Sequence, residues 1–266
     1  MSDYAENWFQ YILDNRDKPW IYYYISKNPN ITWEIVVANP DFPWWEVNNI
    51  GLSGNPNITW DIVCENPDIS WNYYSLSGNP NITWDIIEAN PDKPWYYGRI
   101  SSNPNITWDI IKANPDKPWD YDYISAHPNI TWDIIKANPW EPWRINYVCE
   151  NPNITWDIVC ANPDFPWKYA YLSENPNITW DIVKSNPDKE WNYYVLSGNS
   201  SITWDIIEAN PQAFHNCYHS ISKNPNITWD IVEANPDKDW SYGYLSMNAM
   251  SKHPFFQRNQ LSYVLK

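Results

Sequence analysis

An acidic side chain follows nearly every Ile-Thr-Trp tripeptide of the chain: Glu34, Asp61, Asp85, Asp109, Asp133, Asp157, Asp181, Asp205 and Asp230. Carboxylates do acid–base work when two share a proton, or when they flank a bond at about 5–5.5 Å as in retaining glycosidases. Here they recur no closer than 24 residues apart, on separate elements. Packed helices lie about 8–10 Å from one another, too far for such a pair. The ladder therefore reads as charge placed at helix N-termini. Its alternative is an acidic track that holds a basic tail or imitates nucleic-acid phosphates. A second candidate is His215, Cys217 and His219. The two histidines could share a helical face and hold a metal, but Cys217 would point away and no fourth ligand is evident. No metal and no cofactor is expected, and an enzyme is improbable.

The third candidate is a ribbon of variable residues. One and four positions after a recurring tryptophan stand Tyr96 and Arg99, Asp120 and Tyr123, Arg144 and Tyr147, Lys168 and Tyr171, Asn192 and Val195, and Ser241 and Tyr244. Residues three apart share a helix face, so successive copies line them up. Tyrosine and arginine are the side chains that anchor protein interfaces. The same pattern also suits a tolerant solvated face whose tyrosines cover the edge of the core. The candidate binding residues are Tyr96, Arg99, Asp120, Tyr123, Arg144, Tyr147, Lys168, Tyr171 and Tyr244.

The elements that carry these residues are set by a repeat. The Ile-Thr-Trp tryptophans, from Trp33 to Trp229, are separated by 27, then six times 24, then 25 residues. A second tryptophan follows the first by 11 residues through the regular part. A period of this size is that of a solenoid. Each copy splits into two short helices. Thr107 caps the first, Asp109 sits in its first turn, and Asn114-Pro115 ends it: asparagine tolerates a left-handed residue there, while the following proline biases it toward extended geometry. In the second, Asp116 caps, Pro118 occupies the first turn, and Trp119, Tyr121 and Ile124 face inward. Asn-Pro every 11 to 13 residues leaves no room for strands. Two-turn helices are unstable alone in water, so tryptophans from adjacent copies are expected to stack in a shared core. Five residues after the second tryptophan, Ile100, Ile124, Val148, Leu172, Leu196 and Leu245 join them.

The period, the paired helices and the Asn79-Pro80, Asn90-Pro91 and Asn103-Pro104 punctuation resemble the leucine-rich variant repeats. That resemblance implies alternating α and 3₁₀ segments in a right-handed superhelix. The iron–sulfur module known from that family has no counterpart here. The wording itself, Asn-Pro-Asn-Ile-Thr-Trp-Asp-Ile and Asn-Pro-Asp-Lys-Pro-Trp, is similar to tandem-repeat proteins encoded by giant DNA viruses of amoebae. It implies a setting in host cytoplasm or virion and no biochemical activity.

The expected fold is thus all-α, a right-handed α-solenoid of about nine 24-residue units, each of two short α or 3₁₀ helices. Residues 1–14 form an N-terminal capping helix in which Trp8, Tyr11, Ile12 and Leu13 close one end. Residues 15–248 carry the repeats. Residues 249–266 close the other end with Phe255, Phe256, Leu261, Tyr263 and Leu265, so the whole is one elongated domain. Where the first copy gains three residues, between Trp45 and Gly54, a bulge or longer turn is expected.

Composition narrows the partners. A net charge of −15, from 17 basic and 32 acidic side chains, argues against a nucleic-acid groove and favours basic partners. The N-terminal MSDYAENWFQYILDN lacks a basic stretch before an apolar core, and no apolar run approaches the roughly 20 residues of a membrane helix. Neither export nor a membrane is expected, and the eight Asn-Ile-Thr sequons read as helix-start residues rather than glycan sites. The expected function is a non-enzymatic scaffold that binds a host or viral protein through the Tyr/Arg ribbon. Self-association as a structural or virion component is the alternative, and an acidic nucleic-acid mimic the weaker one.

Overall fold

A computed structural model describes residues 8–10, 12–44, 49–245 and 248. Among these the chain is all-helical, with no strand. It is an α-solenoid of short repeats, and the helices from Tyr22–Lys27 to Tyr242–Leu245 have four to six residues each. The described residues fall into two compact bodies, one within 59–196 and one joining 1–58 to 197–266.

The repeat of residues 103–126 shows how the residue types build each copy. Helix Trp108–Ala113 starts where the Thr107 hydroxyl accepts from Ile110 N–H, with Asp109 in the first turn. It ends at Asn114, whose side-chain amide donates to the Ile110 carbonyl at 3.0 Å. Asn114 has φ −129° and ψ 56°, so it does not take the left-handed conformation that asparagine tolerates and lies on the side toward which the following proline biases it. Pro115 disfavours the helical region for it, and the side chain rather than the backbone conformation closes the helix.

The second helix begins later than expected. It spans Tyr121–Ser125, with the extended Asp120 as its cap, and Pro118 and Trp119 precede it outside any helix. The reason lies in one carbonyl. Asn114 O accepts both the Lys117 N–H at 3.2 Å and the Trp119 indole N–H at 2.8 Å. That turn fixes the ring before a helix can start. The same indole bond recurs from Trp20 to Asn15 through Trp240 to Asn235.

The driest layer is aliphatic. Ile100, Ile124, Val148, Leu172 and Leu196, with Ile82, Ile130 and Ile154 of the Asn-Ile-Thr segments, are wholly buried. The tryptophans stack between copies as expected, but as a wall around this spine. First-half and second-half rings of adjacent repeats, such as Trp84 and Trp119, stand 5.3–6.0 Å apart at 38–46°. Several of them, including Trp60, Trp95 and Trp156, are only half-buried.

The Asn-Pro punctuation turns out to be the clasp between copies. Asn103, fully buried, directs its amide nitrogen to the carbonyls of Ser77, Asn79 and Ile82 of the preceding repeat at 2.9–3.0 Å. Its side-chain oxygen accepts Asn105 N–H. Asn105 in turn donates to Pro80 and Ile82 carbonyls. Asn55, Asn151, Asn175 and Asn224 repeat the first pattern. Asn57, Asn129, Asn153, Asn177 and Asn226 repeat the second. These six sequon asparagines therefore spend their amide nitrogens on the fold. A serine completes the joint: Ser101 Oγ donates to Tyr97 O and accepts Asp120 N–H of the next copy.

At the N-terminus, residues 8–10 and 12–14 are helical, with Trp8, Phe9 and Ile12 buried. Phe9 stands eleven residues before Trp20, as Trp108 does before Trp119, and meets Trp44 at 5.3 Å. The repeat register thus begins at Phe9. In the lengthened copy, Asn49 takes a left-handed φ of 61° and opens helix Ile50–Ser53. Trp45–Asn48, Tyr11 and the C-terminal Phe255, Phe256, Leu261, Tyr263 and Leu265 lie outside the described residues.

One clasp is altered. At His127, Nε2–H donates to Asn103 O at 2.9 Å and Nδ1 accepts Asn129 N–H at 3.1 Å. Burial pushes this imidazole below its ordinary value, against the opposing bond to Asn103. The unfolded chain then takes up the proton first, so the contribution is complete above about pH 6.5 and is lost as pH falls. Replacing His127 by Asn restores the threefold clasp. It should stabilise the protein by about 1–2 kcal/mol in urea unfolding and remove that acid sensitivity. Asn103→Ala, which removes three hydrogen bonds to carbonyls of the preceding repeat while Asn105 still reaches that of Ile82, should cost about 2–3 kcal/mol.

Candidate partner-binding ribbon

The body within 59–196 brings eight of the nine candidate residues onto neighbouring repeats. Tyr96, Tyr123, Tyr147 and Tyr171 are 53, 38, 37 and 41% exposed, and Tyr74 and Tyr194 add 46 and 45%. These are high values for large rings on short helices. They follow from where the backbone places them: Tyr123, Tyr147 and Tyr171 come one residue before the buried Ile124, Val148 and Leu172, about 100° round the helix from the core, and Tyr96 precedes its helix.

Contacts within the ribbon hold its members in place. The Tyr74 and Tyr96 rings stand 4.9 Å apart. The Arg99 guanidinium lies 5.2 Å from the Tyr74 ring and 5.9 Å from the Tyr123 ring, so three successive repeats share one cation. Arg99 Nε is buried without a hydrogen-bond partner. Arg144 pairs with Asp122 at 2.9 Å, and the Asp122 charge raises the Tyr147 phenol above its usual value.

Not every candidate is equally free. Asp120 caps helix Tyr121–Ser125 by accepting Asp122 N–H. Lys168 is exposed at its side chain, while its backbone N–H donates to the buried Cys149 thiol, which stands where other copies have serine. Burial pushes that thiol up to about 11, so it is an inert joint residue. Tyr244 belongs to the other body, half-buried and edge-on to His219 at 4.5 Å.

The remaining candidates also find places. Asp109, Asp133 and Asp181 are 90, 89 and 87% exposed and pair with Lys112, Lys136 and Lys184 at 2.9–3.0 Å. His215 and His219 do not share a helix face. Pro211–Phe214 ends before His215, and Tyr218–Ile221 starts afresh. Phe214 turns into the core and Cys217 is buried, because the copy that lost its tryptophan must fill that space. Among the described residues no cluster of three His, Cys, Asp or Glu could hold a metal.

Sequence reasoning passed over Trp140. It is 92% exposed, at a position where other copies carry Asp92, Asp116, Asp164 and Asp188. The break in the pattern was the available signal. The chain matches no protein-family profile, no curated protein and no solved structure. Among the described residues no helix is long and apolar enough to cross a membrane.

Next to Tyr147 on helix Ile145–Glu150, burial and the Glu174 carboxylate push Glu150 up to about 7. A carboxyl raised in the folded state favours folding fully only below its unfolded value of about 4.3, and that contribution is lost as pH rises through 7. Glu150→Gln should therefore raise Tm at pH 8 and leave it unchanged at pH 4. A Tm shift of equal size at both values would contradict the assignment.

Proposed function

We propose that the protein is a non-enzymatic scaffold that binds a protein partner through the ribbon of Tyr96, Arg99, Tyr123, Arg144, Tyr147, Lys168 and Tyr171. The observation that carries this reading is Arg99 held between Tyr74 and Tyr123, amid exposed tyrosines on successive repeats. Such side chains have already lost much of their rotamer freedom, so a partner need not pay for ordering them. Their composition is that of binding hot spots. Exposed carboxylates paired with lysine support a surface role for the acidic ladder rather than a catalytic one. The similarity of the repeat wording to giant-virus proteins of amoebae supports a partner met in host cytoplasm or in the virion.

Affinity capture from amoebal lysate, with wild type and a Tyr123→Ala, Tyr147→Ala, Tyr171→Ala variant, tests the reading. The variant should keep the wild-type melting curve, since all three rings are outside the spine. It should lose at least ten-fold of the main captured protein, consistent with removal of hot-spot side chains worth more than 1 kcal/mol each. Equal capture would place the site elsewhere, and Trp140→Asp is then the next variant. Capture abolished by moderate salt would instead favour the acidic-mimic reading.

A further inference from the structure

The two ends of the repeat array meet within the body formed by residues 1–58 and 197–266. Trp20 lies 6.4 Å from the Trp229 ring at 40° and 6.0 Å from the Tyr242 ring at 87°. In an interior joint, Trp119 lies 5.7 Å from Trp84 at 38° and 5.7 Å from Tyr97 at 79°. Lys18 stands 5.8 Å over Tyr242, as Lys117 stands 5.9 Å over Tyr97. Asp17-Lys18-Pro19-Trp20 thus occupies, ring for ring, the place of the next Asp-Lys-Pro-Trp after the last repeat. Burial agrees: Trp20 and Trp229 are each 9% exposed, as enclosed as the rings of an interior pair. Residues 249–266 do not continue the repeat wording. A fit detail points the same way. A Cβ on Gly243 would come within 2.8 Å of Ile21 Cδ1, so Ile21 is packed closely against the last helix.

We propose that residues 17–21 are the lid of the last repeat, and that this self-closure holds the protein monomeric by occupying the face on which a second copy would stack. Open solenoid ends are sticky because each exposes a surface built to receive another repeat. Two ends carried by one folded chain meet at an effective concentration of about millimolar, while a second copy is present at about micromolar. The internal partner wins by a hundred-fold or more. The inference is independent of the Tyr/Arg ribbon.

A disulfide trap tests it. Ile21→Cys and Gly243→Cys are introduced together, with Cys64→Ser and Cys160→Ser removing the exposed native thiols. A Cβ at position 243 would lie 3.6 Å from Ile21 Cγ1, which brings the two positions within reach of a disulfide. Mild oxidation at micromolar protein should link positions 21 and 243 within one chain, read by peptide mapping and by a monomer mass on non-reducing gels, with a raised Tm. A 21–243 link between two chains would show that another copy occupies the seat and would overturn the proposal. Free thiols at both positions in a folded protein, judged by circular dichroism, would do the same. Should the double-cysteine variant fail to fold, sedimentation of the unaltered protein decides. A single monomeric species from about 1 to 100 μM is expected, and concentration-dependent growth of dimers or longer chains sinks it.

Discussion

A buried asparagine amide touching three backbone carbonyls of the preceding copy is the interaction on which this architecture depends. Helices of four to six residues are joined by Asn-Pro-Asn-Ile segments, so the carbonyls of Asn79 and Ile82 and that of the last helical residue, Ser77, have no helical partner. In a long helix those groups would be paired internally. Here they are enclosed between repeats, where an unpaired carbonyl costs as much as a lost hydrogen bond. Asparagine answers this because one short side chain carries both an amide nitrogen and an acceptor oxygen. Asn103 sends the first to Ser77, Asn79 and Ile82 and uses the second to bend its own chain through Asn105 N–H. The clasp therefore satisfies one repeat and shapes the next.

The aromatic wall is a consequence of that joint. Once Asn114 O binds the Trp119 indole, the ring lies flat along the outside of the aliphatic spine and reaches Trp84 of the copy before. Its burial adds hydrophobic stabilisation, and its pairing about 0.5–1.5 kcal/mol more. The spine and clasp draw on few positions per copy, so the outward faces of the second helices are released from folding duty. Tyrosines, Arg99, Arg144 and Lys168 accumulate there, and the acidic residues spread over the first helices, where Asp109, Asp133 and Asp181 pair with lysines.

Much of the fold was legible in the sequence because repetition reveals period, punctuation and invariant core positions directly. Ile100 and Ile124 were marked as core by spacing alone, and both are wholly buried. The helix starts were less legible. Asp116 and Pro118 have the chemistry of a cap and a first turn, yet the helix begins at Tyr121, because a tertiary demand on Trp119 outweighs local preference. Of the candidate site, side-by-side placement of Tyr96, Arg99, Tyr123 and Tyr147 was readable from register. The stacking of Arg99 between Tyr74 and Tyr123 was not, since Tyr74 lies at a different offset from its tryptophan.

The sequence by itself determined that short helices alternate, where each ends, and which aliphatic residues are dry, because capping and amphipathic spacing act within a few residues. Only the tertiary structure decided which groups meet across copies: Asn103 with three carbonyls, Arg99 with two rings, and Trp20 with Trp229 more than two hundred residues away. A periodic pattern says what every joint looks like, but it is silent on whether the first copy and the last also form one. That depends on the small rotation accumulated at each joint, which is set by packing and by no single residue.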